Sequence, residues 1–176
     1  MIKIERHNGE YMKKKPVIAI IMGSDSDLDV MNEAIKVLNE NKVSYTVKIL
    51  SAHRSPDDTA KFARNARKKG YKVIIAGAGG AAHLAGVAAS LTTLPVIGVP
   101  METKELKGID SLFSIVQMPS GIPVAAVTIG HTGAKNAAIL ALEILSLSDR
   151  RIEKNLEALK KSLVDGVRKK NSSLKF

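Results

Sequence analysis

The run Pro16-Val-Ile-Ala-Ile-Ile-Met22 does most to limit what this chain can become. A strand with no polar alternation has both faces covered, which places it inside a parallel, helix-covered sheet rather than on one wall of a sandwich. The run breaks at Gly23-Ser24-Asp25-Ser26-Asp27, and an amphipathic helix to about Asn41 follows, with Leu28, Met31, Ile35 and Leu38 on one face. The alternation then repeats. Further strands are predicted at Ser44–Leu50, Tyr71–Ala76, Pro95–Val99 and Val124–Ile129. Between them, Pro56 opens a helix ended by Gly70, an Ala-rich helix covers Ala82–Leu91, and a weak one covers Gly108–Gln117. A long Ala/Leu helix opened by Gly130-His-Thr-Gly133 reaches about Leu147, and another amphipathic helix carries Ile152, Leu156, Leu159 and Leu163.

Five strands alternating with helices imply right-handed crossovers and an α/β fold: a three-layer, flavodoxin-like domain with a five-stranded parallel sheet. The Ala137–Leu147 helix is apolar nearly all round, which predicts burial beyond one sheet face and hence a subunit contact.

Composition removes several function classes. The 176 residues contain no Cys, so disulfides, thiolate catalysis and cysteine metal sites are excluded. His7, His53, His83 and His131 show no ligand-like spacing, so no metal is expected. Aromatics at 3% and the absence of Trp argue against base-stacking platforms for nucleic acid. The net charge of +10 is concentrated at the ends, with +3 in residues 1–16 and +5 in residues 149–176. Residues 17–148 carry only +2, so solvated termini explain the excess better than a polyanion partner. Met1–Lys15 is too polar for a secretory core, and no apolar span reaches membrane length. A cytoplasmic protein with no membrane partner is expected.

Three loops carry the chemistry, and a doubly wound sheet would gather them at one edge. In Ser51-Ala52-His53-Arg54-Ser55-Pro56, a proton carrier stands beside a fixed anion holder. Ser55 or Asp57 could equally be helix caps. Gly23-Ser24-Asp25-Ser26-Asp27 offers backbone N–H groups and hydroxyls to an anion, although Asp25, Asp27 and Asp29 would repel a phosphate unless some point away. A carboxylate there could instead accept ribose hydroxyls, so a phosphoribosyl ligand fits, and so does simple capping. Gly77-Ala-Gly-Gly-Ala-Ala-His83 lets backbone approach a ligand. No Lys-Ser or Lys-Thr follows it, and Ala82 fills the third glycine position of a dinucleotide pattern, whose expected acidic residue has only Glu102 as a candidate. His83 either lines the pocket or packs as a satisfied histidine.

Five segments occur in order: Met22-Gly-Ser-x-Ser-Asp27, Ser51-Ala-His-Arg-x-Pro-Asp57, Gly77-Ala-Gly-Gly-Ala-Ala-His-Leu84, Asp110-Ser-Leu-x-Ser-Ile-Val-Gln-Met-Pro-x-Gly-Ile-Pro-Val124 and Gly133-Ala-x-Asn-Ala137. Together they resemble the PurE family, 5-(carboxyamino)imidazole ribonucleotide mutases of purine biosynthesis, and the bacterial mutase class in particular. The resemblance covers residues 16–148. It implies an ATP-independent mutase without metal or organic cofactor, acting on an imidazole ribonucleotide and assembled as a homo-octamer. It assigns the proton shuttle to His53, phosphate contacts to Ser24, Ser26 and Arg54, and the ribose to Asp27, with Ser51 also binding substrate. Gly79, Gly80 and Ala81 would give close backbone contacts around the base and carbon dioxide, and His83 and Leu84 would complete the wall. The chain departs from the family's pattern at Ala85 and Ser120. Residues 1–15 are then expected to be a flexible leader, 16–148 the catalytic α/β domain, and 149–176 a C-terminal helix and basic tail. Direct carboxylation of aminoimidazole ribonucleotide, or a non-catalytic nucleotide-binding module, are the alternatives.

Overall fold

The computed structural model describes residues 15–174, so almost all of the expected leader lies outside the described residues. The chain divides into two compact units, residues up to 141 and residues from 142 onward. The first holds a five-stranded, all-parallel sheet with helices on both sides.

The strands are β1 (Ile18–Met22), β2 (Tyr45–Ile49), β3 (Val73–Ala78), β4 (Val96–Pro100) and β5 (Ala125–Ala126), in the spatial order β2-β1-β3-β4-β5. That is the flavodoxin-like order, and it reverses between β1 and β3. Every residue of β1, β3 and β4 is buried, as expected of strands covered on both faces. Between them lie α1 (Leu28–Glu40), α2 (Pro56–Ala66), α3 (Leu84–Ser90) and α4 (Ile109–Val116); α5 (Gly130–Ser146) follows β5. Ala19 and Ile21 of β1, Ile74 and Ala76 of β3 and Val96 of β4 pack with Phe62, Ala63 and Ala66 of α2 and with Leu84, Ala85 and Ala88 of α3. On the opposite face Met31 of α1 presses so close to Gly77 that an added Cβ would sit 2.9 Å from its sulfur.

The register brings the loops out together. Met22 is level with both Ile49 of β2 and Gly77 of β3, and Ala78 is level with Pro100 of β4. Single bonds carry the ladder one step further: Leu50 N–H to the Met22 carbonyl (2.8 Å), Gly23 N–H to Gly77 (3.1 Å) and Met101 N–H to Ala78 (2.9 Å).

Three expectations shift. β3 continues through Gly77 and Ala78, so the loop after it begins at Gly79. The smallness of Gly77 serves core packing, because a Cβ there would also lie 2.5 Å from the end of Met101. The fifth strand contracts from the expected Val124–Ile129 to two residues, paired only with Ile97 and Gly98. It has a single neighbour, and the chain turns into α5 at Gly130, whose φ is +73°.

In the second unit, α6 (Arg150–Ser172) follows the end of α5. Asp149 caps it, accepting the N–H groups of Arg151 (2.9 Å) and Ile152 (3.3 Å). Lys169 and Lys170 complement the dipole at its other end. Within this unit Lys160 pairs with Glu143 at 3.5 Å.

Candidate functional site

At the carboxyl ends of the strands, where the order reverses, a cavity of about 450 Å³ opens. That volume suits a small nucleotide. Four loops wall it, following β1, β2, β3 and β4 in turn.

The first wall is built by capping chemistry. Residues Asp25–Asp27 form one 3₁₀ turn ahead of α1, and Ser24 and Asp27 make a reciprocal capping box. The Ser26 N–H reaches the Ser24 hydroxyl at 3.4 Å, and the Ser24 N–H reaches the Asp27 carboxylate at 3.2 Å. Capping and cavity lining therefore coexist, since Gly23, Ser24, Ser26 and Asp27 all face the cavity. Burial pushes the Asp27 carboxyl above its ordinary value; bonds from Ser24, Ser26 and Gly23 and the charge of Arg54 pull it part of the way back. The crowding of three carboxylates is relieved by direction. Asp29 accepts from His131 Nε2 at 3.0 Å and Asp25 from the Ser24 hydroxyl at 3.1 Å, and neither lines the cavity.

The second wall is the turn between β2 and α2, knotted by serine. The Ser51 N–H donates to the Ser55 hydroxyl (3.0 Å), and the Arg54 N–H to the Ser51 hydroxyl (3.1 Å). The buried Thr59 hydroxyl reaches the Ser51 and Ser55 carbonyls at 3.2 and 3.0 Å. The Arg54 guanidinium crosses to the first loop, donating to the Gly23 carbonyl at 2.9 Å. This leaves a fixed cation between two loops whose polar atoms face the same space.

The third wall brings the histidines together. His53 Nε2 lies 2.7 Å from His83 Nδ1, with the rings edge-to-face at 80° and their centroids 4.8 Å apart. One proton can sit between these nitrogens; two would face each other. His83, which the sequence left between wall and packing roles, is exposed and lines the cavity, and Leu84 closes the wall behind it. Gly79 also lines it.

Gly80 and Ala81 are absent from that wall. Gly80, at φ +67°, turns toward α4, where its N–H donates to the Ser111 hydroxyl at 2.9 Å and its carbonyl lies 3.3 Å from the Ser114 hydroxyl. Its N–H and its carbonyl are thus both engaged by side chains of α4. Sequence reasoning missed Met101 and met Glu102 only as a candidate of the dinucleotide pattern; the two form the fourth wall. The rule that ligands bind beyond strand carboxyl ends pointed to them, because they follow β4 directly. No group of three or more potential metal ligands exists among the described residues. Among them, too, no helix is long and apolar enough to cross a membrane.

A profile described as AIR carboxylase matches residues 17–165. The chain is 58% identical to an N5-carboxyaminoimidazole ribonucleotide mutase of Pyrococcus abyssi, over 84% of each protein. It is 54% identical to one of Bacillus subtilis, over 81% of this chain and 88% of that protein. Among solved structures, Treponema denticola PurE superimposes with a TM-score of 0.83 at 28% identity, covering 92% of this chain and 99% of that one.

Proposed function

The chain belongs to the AIR carboxylase family, and on that premise we propose that it is an ATP-independent mutase of purine biosynthesis. It converts 5-(carboxyamino)imidazole ribonucleotide to 5-amino-4-imidazolecarboxylate ribonucleotide. The observation that carries this reading is the His53–His83 contact beside Arg54, on a nucleotide-sized cavity at the switch point.

The chemistry balances within the site. Protonated His53 gives its proton to the exocyclic nitrogen as the N–CO₂ bond breaks, leaving aminoimidazole ribonucleotide, carbon dioxide and neutral His53. The ring carbon attacks the trapped carbon dioxide and forms the new C–C bond. His53 then removes the proton from that carbon, the ring regains its aromaticity, and the imidazolium is restored. No net proton is consumed, so one group serves as acid and then as base. His83 steadies the shuttle by accepting or donating at 2.7 Å as the proton count of His53 changes.

Binding divides along the walls. Arg54, Ser24 and Ser26 take the phosphate, which suits a fixed guanidinium and a loop of hydroxyls before a helix. Asp27 accepts the ribose hydroxyls, and Ser51 supports this binding from the second loop. Gly79, His83 and Leu84 border the base, and Gly80 and Ala81 shape that border from behind. The assembly is a homo-octamer, a reading supported by the exposed apolar side chains of Ile109, Phe113 and Val116 along α4.

The test is turnover of 5-(carboxyamino)imidazole ribonucleotide without ATP, in labelled carbon dioxide. Ring-carboxylated product with little label, lost in His53→Asn, is expected. Direct carboxylation predicts labelled product from aminoimidazole ribonucleotide and none from the carboxyamino substrate. That outcome would overturn the mutase.

A further inference from the structure

The Asp110-Ser-Leu-x-Ser segment has no task in the reaction above, yet it sets its hydroxyls against the cavity's supporting backbone. Ser111 is fully buried. Its hydroxyl donates to the Met101 carbonyl at 2.8 Å and accepts the Gly80 N–H at 2.9 Å. Ser114 approaches the Gly80 carbonyl at 3.3 Å while bonding the Asp110 carbonyl at 2.8 Å. One side chain thus joins two walls, the Gly79–His83 loop after β3 and the Met101–Glu102 loop after β4.

The joined loop does not hold itself. Gly80 and Ala82 have φ of +67° and +34°, and for Ala82 this is a strained conformation that persists only when its surroundings fix it. Among the hydrogen bonds of residues 79–82, the Ala82 N–H to Gly79 carbonyl turn at 3.2 Å is internal, and the two bonds of Gly80 run to α4. Both loops bonded to Ser111 line the cavity, one through Gly79, Ala82 and His83 and the other through Met101 and Glu102.

We propose that Ser111 is a positioning residue that keeps these walls together, so that carbon dioxide is retained between the two half-reactions. The inference rests on the mutase reading and adds a residue to it. A small misplacement of the wall opens an exit and misaligns the ring carbon, whereas the phosphate contacts on the first two loops stay intact.

The experiment is turnover of 5-(carboxyamino)imidazole ribonucleotide by the full chain in isotopically labelled carbon dioxide, comparing the unmodified protein with Ser111→Ala. The variant is expected to lose on the order of 10-fold in kcat with KM little changed. Its product should carry a several-fold larger labelled fraction, a change that a smaller amount of folded enzyme cannot produce. Ser111→Thr, which keeps the hydroxyl, should return the labelled fraction toward the unmodified value. A folded Ser111→Ala with unchanged labelling overturns the inference and leaves the mutase standing. If that variant does not fold, Ser114→Ala is read instead, and unchanged labelling there overturns the inference. No turnover by the unmodified chain overturns the mutase reading and this inference with it.

Discussion

At the scale of single residues, the site places groups where folding alone would not. Asp27 is the clearest case, since burial raises its pKa above 3.8 despite the bonds it accepts. The unfolded chain releases this proton more readily than the folded one. Stability from the neutral form is therefore full below pH 3.8 and is lost as pH rises through the raised folded value. Near neutrality the ionised carboxylate costs stability, softened by partial solvent access. Asp27→Asn should raise the melting temperature at pH 7 by about 1–3 °C while weakening substrate binding. The gap in melting temperature should narrow as the pH falls toward 3.8. For His53→Asn the expected result is a loss of at least about 10²-fold in turnover with an unchanged melting curve, read by initial rates and calorimetry. His83→Phe keeps an aromatic edge but no nitrogen for His53, so a smaller loss of about 10-fold is expected, with an altered pH–rate profile. The sequence singled out His53 and Arg54 as candidates because they are adjacent polar groups at a strand end, and both line the cavity. It could not show that His83 meets His53 across 30 residues. Nor could it show that the backbone of Gly80 faces a helix, which depends on a dihedral angle and on α4.

At the scale of elements, strand identity was legible because burial on both faces leaves a continuous apolar signal. The β1 run and the Gly-Ser-Asp break after it sit within two residues of their expected places. Strand ends were not legible, because they are set by neighbours. β3 runs on to Ala78 because Met22 and Pro100 pair beside it, and β5 stops early because only one side is paired. The Gly133 of the last motif has a purely local cause. A Cβ there would lie 1.6 Å from the Thr128 carbonyl oxygen, so the first turn of α5 would have to move. Gly133→Ala should therefore destabilise by about 3 kcal/mol or more, a fall near 10 °C in thermal melts. In the centre of the sheet, Ile20 is fully buried, and Ile20→Ala should cost about 2–5 kcal/mol in denaturant titration. The α5 helix is less uniform than its sequence suggested. Ala134, Ala137, Ala138, Ala141 and Leu142 are buried, whereas Ile139, Leu140, Ile144 and Leu145 are half-exposed and Leu147, just past its end, is almost fully exposed.

At the scale of the whole molecule, exposed apolar side chains on α4 and half-exposed ones on α5 predict self-association. Light scattering should give about 150 kDa, eight copies of the 18.9 kDa chain, and a stable monomer would overturn the octamer. The manner of that association follows from the margins of the sheet. One margin, β2, ends in exposed Lys48 and Ile49, and a lysine there discourages another strand from adding. The other, β5, is two residues long and presents almost no ladder to copy. The short fifth strand thus denies templated growth even where copies of the chain crowd together. With both margins closed to a further strand, the chain can be abundant without becoming a seed for fibrils.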